Sequence, residues 1–159
     1  MKEILQKLMT DAPLSREDGY SALSIIMSGE ATDAQIACFL TALKLRGETP
    51  EVVAGAAQAM REVFTPVATV GPDAVDTCGT GGDGLHTFNI STTAAFVTAG
   101  AGVTVAKHGN RGVSSPSGSA DVLRELGVNL EIGPEQMTAC LEEVGIAFLF
   151  APALHPAMK

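Results

Sequence analysis

Residues 74–106 read AVDTCGTGGDGLHTFNISTTAAFVTAGAGVTVA, and this segment decides the fold class. Its two ends, at 74–77 and 103–106, predict short β-strands. The small-residue stretch at 91–99 between them predicts a helix. Because a strand, a helix and a second strand in this order form a parallel pair with a right-handed crossover, the segment predicts an α/β domain.

The same alternation continues towards the C-terminus. The pattern predicts a helix at 120–126 closed by Gly127, a brief strand at 128–130, a helix at 134–144 and a strongly apolar strand at 146–150. Strands that alternate with helices predict a mainly parallel sheet. An apolar parallel strand needs cover on both faces and neighbours on both edges, so we expect the sheet to be incomplete in this chain.

The N-terminal part has a different pattern, with apolar residues at helical spacing. Capping signals at Ser15, Thr32 and Thr49 begin three of four predicted short helices. We therefore predict a small N-terminal helical domain hinged to the α/β domain. The predicted boundaries are 1–66 for the helical domain, 67–72 for the hinge and 73–159 for a truncated α/β domain.

Composition excludes several classes of protein. Charged residues make up 18% and hydrophobic residues 46% of the chain, which argues against disorder. The net charge of −8 argues against a nucleic-acid or anionic-membrane partner. No apolar run reaches the roughly 18 residues of a membrane span, and the N-terminal residues do not resemble a signal peptide. We expect a cytoplasmic protein.

The three cysteines give no metal signal in the sequence. Cys38, Cys78 and Cys140 are scattered and form no CxxC pair, so neither a zinc site nor a disulfide framework is predicted. Cys38 and Cys140 fall in helical patterns, and we expect them in the core. We expect Cys78 to serve packing, because no base lies near it in sequence.

A glycine-rich stretch at 79–84 follows the first predicted strand. Its four glycines let the backbone approach a ligand closely and point amide groups at phosphate oxygens. It matches neither the dinucleotide nor the nucleoside-triphosphate pattern, and a turn without a ligand is the alternative. Asp83 would repel a bare phosphate, which favours a sugar phosphate or a Mg²⁺–diphosphate.

Two further stretches lie at the starts of predicted helices. Residues 89–93 offer helix N-terminal amides to an anion and a serine hydroxyl to Mg²⁺, although the same residues are ordinary caps. Residues 107–119 carry Lys107 and Arg111, two of the three basic side chains between Asp73 and Met158. Ligands of α/β sheets collect at the carboxyl ends of strands, so these loops could face one cleft. A flexible surface loop is the alternative.

Together these motifs resemble those of the anthranilate phosphoribosyltransferases. The matching stretches are GTGGD at 79–83, NIST at 89–92, KHGNR at 107–111 and SGSAD at 117–121, and the resemblance covers the whole chain. It implies transfer of the phosphoribosyl group of phosphoribosyl pyrophosphate to the anthranilate amine, with Mg²⁺, in tryptophan biosynthesis. We expect catalysis by positioning and charge neutralisation, without a covalent enzyme intermediate.

The resemblance also implies the roles of individual residues. The catalytic residue would be Lys107, which would neutralise charge on pyrophosphate, and Ser91 would be a Mg²⁺ ligand. Anthranilate would contact Gly79, His108, Asn110 and His155. Phosphoribosyl pyrophosphate would contact Gly79, Gly82, Asp83, Thr87, Asn89, Ile90, Ser91, Thr92, Lys107, His108, Gly109, Asn110, Arg111, Gly112, Val113, Ser114, Ser115 and Ser119.

Members of this family are about twice as long as this chain. The resemblance implies an anthranilate-binding arginine beyond Lys159 and a Mg²⁺-binding Asp-Glu pair beyond that. We therefore expect this chain alone to be inactive, or to work with a second chain that carries the C-terminal half. The family also implies a homodimer through the helical domain. A pyrimidine nucleoside phosphorylase-like enzyme, and an inactive fragment that binds a phosphorylated ligand or dimerises, remain as alternatives.

Overall fold

The computed structural model describes residues 1–68, 71, 73–79, 87–112 and 117–155. Two compact units are present, a helical unit built on Met1–Phe64 and an α/β unit at Thr65–Pro156. No helix in the described ranges is long and apolar enough to span a membrane. The elements are α1 (Lys2–Met9), α2 (Arg16–Met27), α3 (Asp33–Arg46), α4 (Pro50–Glu62), α5 (Ile90–Gly100), β1 (Val105–Gly109), α6 (Ser119–Glu125), α7 (Pro134–Glu143), β2 (Ile146–Phe150) and α8 (Ala151–Leu154).

The helices of the helical unit begin at the predicted caps. The Ser15 hydroxyl accepts a hydrogen bond from the Asp18 amide, and the Asp18 carboxylate accepts one from the Ser15 amide. Thr32 and Gln35 form the same reciprocal pair at the start of α3. Each pair satisfies two amide groups that the helix itself leaves without partners. The predicted capping boxes are confirmed.

The core of the helical unit contains fewer residues than the apolar pattern indicates. Phe39 of α3 is fully buried with Ile4, Leu8 and Ala22. Cys38, which we expected in the core, is exposed. Because α3 carries apolar residues nearly all round, its sequence does not select the buried face, and neighbouring side chains point about 100° apart around the helix.

Helices α2 and α4 pack backbone to backbone through two glycines. A Cβ atom at Gly55 would lie 1.9 Å from the Arg16 carbonyl oxygen, and one at Gly19 would lie 2.4 Å from the Val52 carbonyl oxygen. Both distances are far below van der Waals contact, so only glycine fits at these positions. This close packing fixes the separation of the two helices.

The α/β unit contains the predicted parallel sheet. Strands β1 and β2 pair in parallel, from Val105 opposite Ile146 to Gly109 opposite Phe150. On the other side of β1, the Val75 amide donates to the Thr104 carbonyl at 2.9 Å, and the Ala106 amide donates to the Val75 carbonyl at 2.9 Å. Strand β1 therefore lies between two neighbours that run parallel to it.

The predicted strand boundaries need three corrections. Pairing of the 74–77 segment is limited to the bridge at Val75. Strand β1 begins at Val105 and continues to Gly109, so Lys107 lies inside a strand that we predicted to end at residue 106. Its length follows β2, which pairs with it residue for residue. Residues 128–130 form no strand, because the Asn129 side chain accepts the Glu131 amide at 3.0 Å and closes a local turn.

The two faces of the sheet have separate cores. Phe148 and Phe150 cluster with Ala120 and Leu123 of α6, whereas Ala147 on the opposite face clusters with residues of α7 and α8. Side chains alternate between faces along a strand, and Lys107 is paired with Phe148. The register therefore places Lys107 on the face covered by α6 and His108 on the opposite face.

Candidate active site

A buried lysine lies in the middle of β1. Lys107 is only 3% exposed. Its ammonium donates to the Ser91 hydroxyl and to the His108 carbonyl, each at 3.4 Å, and neither acceptor is charged. Among the described residues, no carboxylate forms an ion pair with Lys107. A buried charge costs several kcal/mol unless it is compensated, so this position favours an anionic ligand.

The N-terminus of α5 lies beside this lysine. Its N-cap residue Asn89 makes no side-chain cap; the Asn89 amide group donates to the Ser117 carbonyl at 3.2 Å instead. The Thr77 hydroxyl donates to the Ser91 carbonyl at 2.8 Å. These bonds hold the start of α5 between the two loops, where helix N-terminal amides favour an anion.

A cavity of about 140 Å³ lies next to α5. Most of its lining is apolar, and its polar members are Lys107 and Thr92. The Thr92 hydroxyl is buried and has no hydrogen-bond partner within the described ranges. This lining is too apolar to bind a phosphorylated sugar.

Asp76 joins the first strand end to β1. Its Oδ1 atom accepts the Cys78 amide at 2.8 Å, which closes a local turn, and the His108 amide at 3.2 Å. Partial burial and the neighbouring Asp76 carboxylate raise the pKa of the Cys78 thiol. The thiol is therefore protonated near neutral pH. Cys78 is exposed, so the expectation that it serves packing is wrong.

Two histidines meet on the other face of the sheet. The rings of His108 and His155 form an edge contact with centroids 5.3 Å apart. Burial and the neighbouring His108 lower the pKa of His155. A neutral His155 at physiological pH follows from this shift.

Asp121 of α6 holds the loop that follows β1. Its Oδ2 atom accepts the backbone amides of Gly112 and Gly118, both at 2.8 Å. A Cβ atom at Gly118 would lie 2.3 Å from the Gly112 nitrogen, so this approach also requires glycine. The hydrogen bonds from Gly112 and then Gly118 lower the pKa of Asp121.

The pKa shift of Asp121 predicts a pH-dependent contribution to stability. Because the folded-state pKa lies below its ordinary value of 3.8, the contribution is complete well above pH 3.8 and is lost as the pH falls through the folded-state pKa. We expect Asp121→Asn to lower the free energy of unfolding at pH 7. The effect should be smaller at a pH below the folded-state pKa of Asp121. Urea unfolding of the unchanged protein and of Asp121→Asn, from pH 7 down to a pH below that pKa, measures the difference in the free energy of unfolding.

Thr138→Val is the control for this experiment. It removes a hydroxyl that donates to the Pro134 carbonyl at 3.0 Å and to the Ala68 carbonyl at 3.2 Å, but it removes no ionisable group. Its destabilisation should therefore be the same at every pH. A pH-independent effect of Asp121→Asn would contradict the assignment.

Comparison with known proteins places the two units in one family. Residues 2–63 match the helical bundle domain of a glycosyl transferase family, and residues 71–159 match the a/b domain of that family. This chain belongs to that glycosyl transferase family.

Relatives of this family member share one enzyme name. The chain is 57% identical to an anthranilate phosphoribosyltransferase of Moorella thermoacetica, over 100% of this chain and 47% of the relative. The structure of the Thermus thermophilus anthranilate phosphoribosyltransferase matches with a TM-score of 0.88 and 46% identity, over 98% of this chain and 47% of that chain. The Saccharomyces cerevisiae enzyme, solved in complex with PRPP and Mg, matches with a TM-score of 0.86 and 31% identity over the same shares.

These matches confirm the resemblance to the anthranilate phosphoribosyltransferases and the predicted fold class. The chain spans about half the length of the curated relatives it matches, 47% in the case of the Moorella protein. What these relatives bind and catalyse is therefore a proposal for this family member.

The structure brings some of the predicted site residues into contact. Lys107 meets Ser91, the Ser119 hydroxyl donates to the Asn110 carbonyl at 3.4 Å, and Arg111 lies over the Phe150 ring at 5.7 Å. Gly79 follows the first strand segment, and His155 ends α8. The remaining described members lie at the start of α5 (Thr87, Asn89, Ile90, Thr92) or at and after the end of β1 (His108, Gly109, Gly112). Gly82, Asp83, Val113, Ser114 and Ser115 lie outside the described residues.

Three residues that shape this site were given no role in it from the sequence, although they lie in or beside the stretches singled out there. Asp76, Thr77 and Asp121 each bond to the backbone of another site segment. Asp76 had a usable signal, because an aspartate at a strand end followed by a glycine-rich stretch favours a side-chain turn. Asp121 also had a local signal, because it lies three residues after Gly118, the N-cap of α6, and accepts its amide. The contact of Thr77 with Ser91 joins residues 14 positions apart and carries no such signal.

Proposed function

We propose that this chain provides the phosphoribosyl-pyrophosphate-binding part of an anthranilate phosphoribosyltransferase. That enzyme would transfer the phosphoribosyl group to the anthranilate amine and release pyrophosphate, as a step of tryptophan biosynthesis. The observation that carries the proposal is the buried ammonium of Lys107 beside the N-terminus of α5. Family membership and the shared enzyme name of the relatives support it.

Lys107 would act on the leaving pyrophosphate. Negative charge grows on this group as the bond to the ribose anomeric carbon breaks. A positive charge that is already fixed and buried stabilises that growth without reorganising, and its effect is stronger than in water. The bonds from Lys107 to Ser91 and His108 hold the ammonium in place before substrate binds.

The loops around Lys107 would hold the phosphosugar. Amides at the start of α5 and glycine backbone at the strand ends favour phosphate oxygens. The bond from Asn89 to the Ser117 carbonyl supports a single site formed by α5 and the loop after β1. We propose the phosphoribosyl pyrophosphate contacts implied by the family resemblance for the same residues, including those outside the described ranges.

Mg²⁺ fits this arrangement only together with the diphosphate. The Ser91 hydroxyl is an oxygen ligand of the kind Mg²⁺ prefers, but the Lys107 ammonium lies 3.4 Å from it. A cation at Ser91 therefore requires phosphate oxygens to separate the two charges. We propose Ser91 as one ligand, with water and diphosphate among the others. Bound Mg²⁺ would neutralise charge on the diphosphate.

The acceptor would bind at the outer ends of the strands. Gly79, His108 and Asn110 lie there, and His155 contacts His108. An aromatic amine is a nucleophile at neutral pH, so the site needs no strong base. The lowered pKa of His155 agrees with a lining role in which the ring is neutral. Catalysis would rest on holding both reactants in line.

Titration calorimetry and turnover test the proposal together. We expect the chain to give a heat of binding when it is titrated with phosphoribosyl pyrophosphate and Mg²⁺. We expect turnover with anthranilate only when a second chain completes the acceptor site. Thymidine or uridine with phosphate should give no product. Turnover of a nucleoside would favour the phosphorylase alternative, and absence of any heat change would favour an inactive fragment.

The remaining expectations belong to the same proposal. A homodimer through the helical unit is supported by exposed large apolar side chains at Met9, Leu40, Leu45 and Val53. The domain limits of 1–66, 67–72 and 73–159 are supported by the family matches on either side of residues 64–70. We also propose a cytoplasmic location and a second chain that carries the other half of the family's length.

A further inference from the structure

Three metal-ligating side chains meet beside the first strand end. One ligand atom from each of Asp76, Cys78 and His108 lies within 4.8 Å of the other two. The Asp76 carboxylate also accepts the backbone amides of Cys78 and His108, at 2.8 and 3.2 Å. The Asp76 carboxylate therefore fixes the two backbone segments that carry the other two ligands. The fold assembles a group that the spacing of the cysteines does not indicate.

The chemistry of this group selects a class of metal. Sulfur, imidazole nitrogen and carboxylate oxygen are ligands of Zn²⁺, whereas Mg²⁺ and Ca²⁺ prefer oxygen alone. We propose that Asp76, Cys78 and His108 form a binding site for a borderline-soft divalent cation, for which Zn²⁺ is the probe. A tetrahedral Zn²⁺ places its ligand atoms about 3.5 Å apart, so no pair in the group needs to approach by more than about 1.3 Å. Asp76 and Cys78 are exposed, which leaves their side chains room to move.

This site differs from the proposed Mg²⁺ position. Ser91, the proposed Mg²⁺ ligand, bonds to Lys107 on the α6-covered face of the sheet, whereas the register places His108 on the opposite face. Three protein ligands leave a fourth position for solvent. Binding forms a sulfur–metal bond in place of the S–H bond of Cys78 and releases the proton to the buffer. Since His108 also belongs to the proposed acceptor site, bound Zn²⁺ would obstruct the acceptor.

Metal binding can be measured without any substrate, so its outcome is separate from that of the proposed function. The tag-free chain is titrated with Zn²⁺ in a calorimeter and with Co²⁺ in an absorption spectrometer. We expect one Zn²⁺ per chain, and a Co²⁺ spectrum with a sulfur-to-metal charge-transfer band. We expect Cys78→Ser to weaken Zn²⁺ binding by more than about 100-fold, since loss of even an outer hydrogen-bond partner costs up to that factor.

Cys38→Ser is the matched control, because Cys38 is also a free, exposed thiol but lies in the helical unit. It should bind Zn²⁺ as the unchanged chain does. Equal affinity of Cys78→Ser and the unchanged chain would overturn the proposal. A Co²⁺ spectrum of the unchanged chain without the sulfur band would do the same, and this measurement needs no variant to fold.

Discussion

Lys107→Met is expected to weaken binding of phosphoribosyl pyrophosphate by about 100- to 1000-fold. In an active enzyme it should slow turnover by the same factor. The ammonium is 3% exposed and bonds only to neutral oxygens among the described residues, so a bound diphosphate would be its first full charge partner. Methionine has a similar length but no charge. Titration calorimetry with Mg²⁺ present measures the loss of binding.

The same substitution should leave the fold intact. Removing a buried charge without a carboxylate partner removes a desolvation cost, so the free energy of unfolding should stay unchanged or rise by about 1 kcal/mol. This opposite direction of the two effects separates a ligand-binding role from a structural one. Urea unfolding of the ligand-free protein measures the second effect.

Lys44→Met is the control for Lys107→Met. The Lys44 side chain is 80% exposed and pairs with Glu48 on the surface of the helical unit. Its loss should change neither binding nor stability appreciably, as is usual for exposed ion pairs. Undiminished binding by Lys107→Met would refute the proposed role, and so would a loss of binding explained entirely by unfolding.

Gly55→Ala is expected to destabilise the helical unit by about 3 kcal/mol. The new Cβ atom would lie 1.9 Å from the Arg16 carbonyl oxygen and 2.8 Å from the Tyr20 nitrogen, both of which are backbone atoms. Backbone cannot rotate away as a side chain can, so α2 and α4 must separate. Helix propensity alone predicts a gain of about 1 kcal/mol for alanine, which makes the direction of the effect decisive.

Gly100→Ala gives the matched comparison for Gly55→Ala. Gly100 is also helical, at the end of α5, and a Cβ atom there would meet nothing within 4 Å. We expect this variant to be as stable as the unchanged protein or slightly more so. Thermal unfolding of both variants tests the prediction. A Gly55→Ala protein that unfolds at or above the temperature of the unchanged protein would show that α2 and α4 do not pack through this glycine.

The helices could be predicted well because their signals are local. Ser15, Thr32 and Thr49 lie within three residues of the amides that they cap, so the sequence contains both partners of each bond. Glycines that end helices also act locally, as Gly47 does with a φ angle of 89°. The bounds of a parallel strand are not set by such local signals. The shift of β1 to Val105–Gly109 depends on β2, which lies about 40 residues away in the chain.

The candidate site likewise has some features that the sequence reveals and others that it does not. Its glycine-rich stretch, the NIST motif and Lys107 are recognisable in the sequence because their residue types suit phosphate, and the family resemblance supplied their proposed roles. The burial of Lys107 and its contact with Ser91 are not recognisable, since they depend on the pairing of β1 with β2 and on the position of α5.

The sequence by itself determined the fold class, the helix starts and which residue types could bind a phosphorylated ligand. Only the tertiary structure decided that Gly19 and Gly55 let two helices touch, that Cys38 is exposed, and that Asp76, Cys78 and His108 lie together. The physical reason is the range of the interactions. Caps and turns join residues a few positions apart, whereas burial, strand register and side-chain clusters depend on segments that meet only when the whole chain packs.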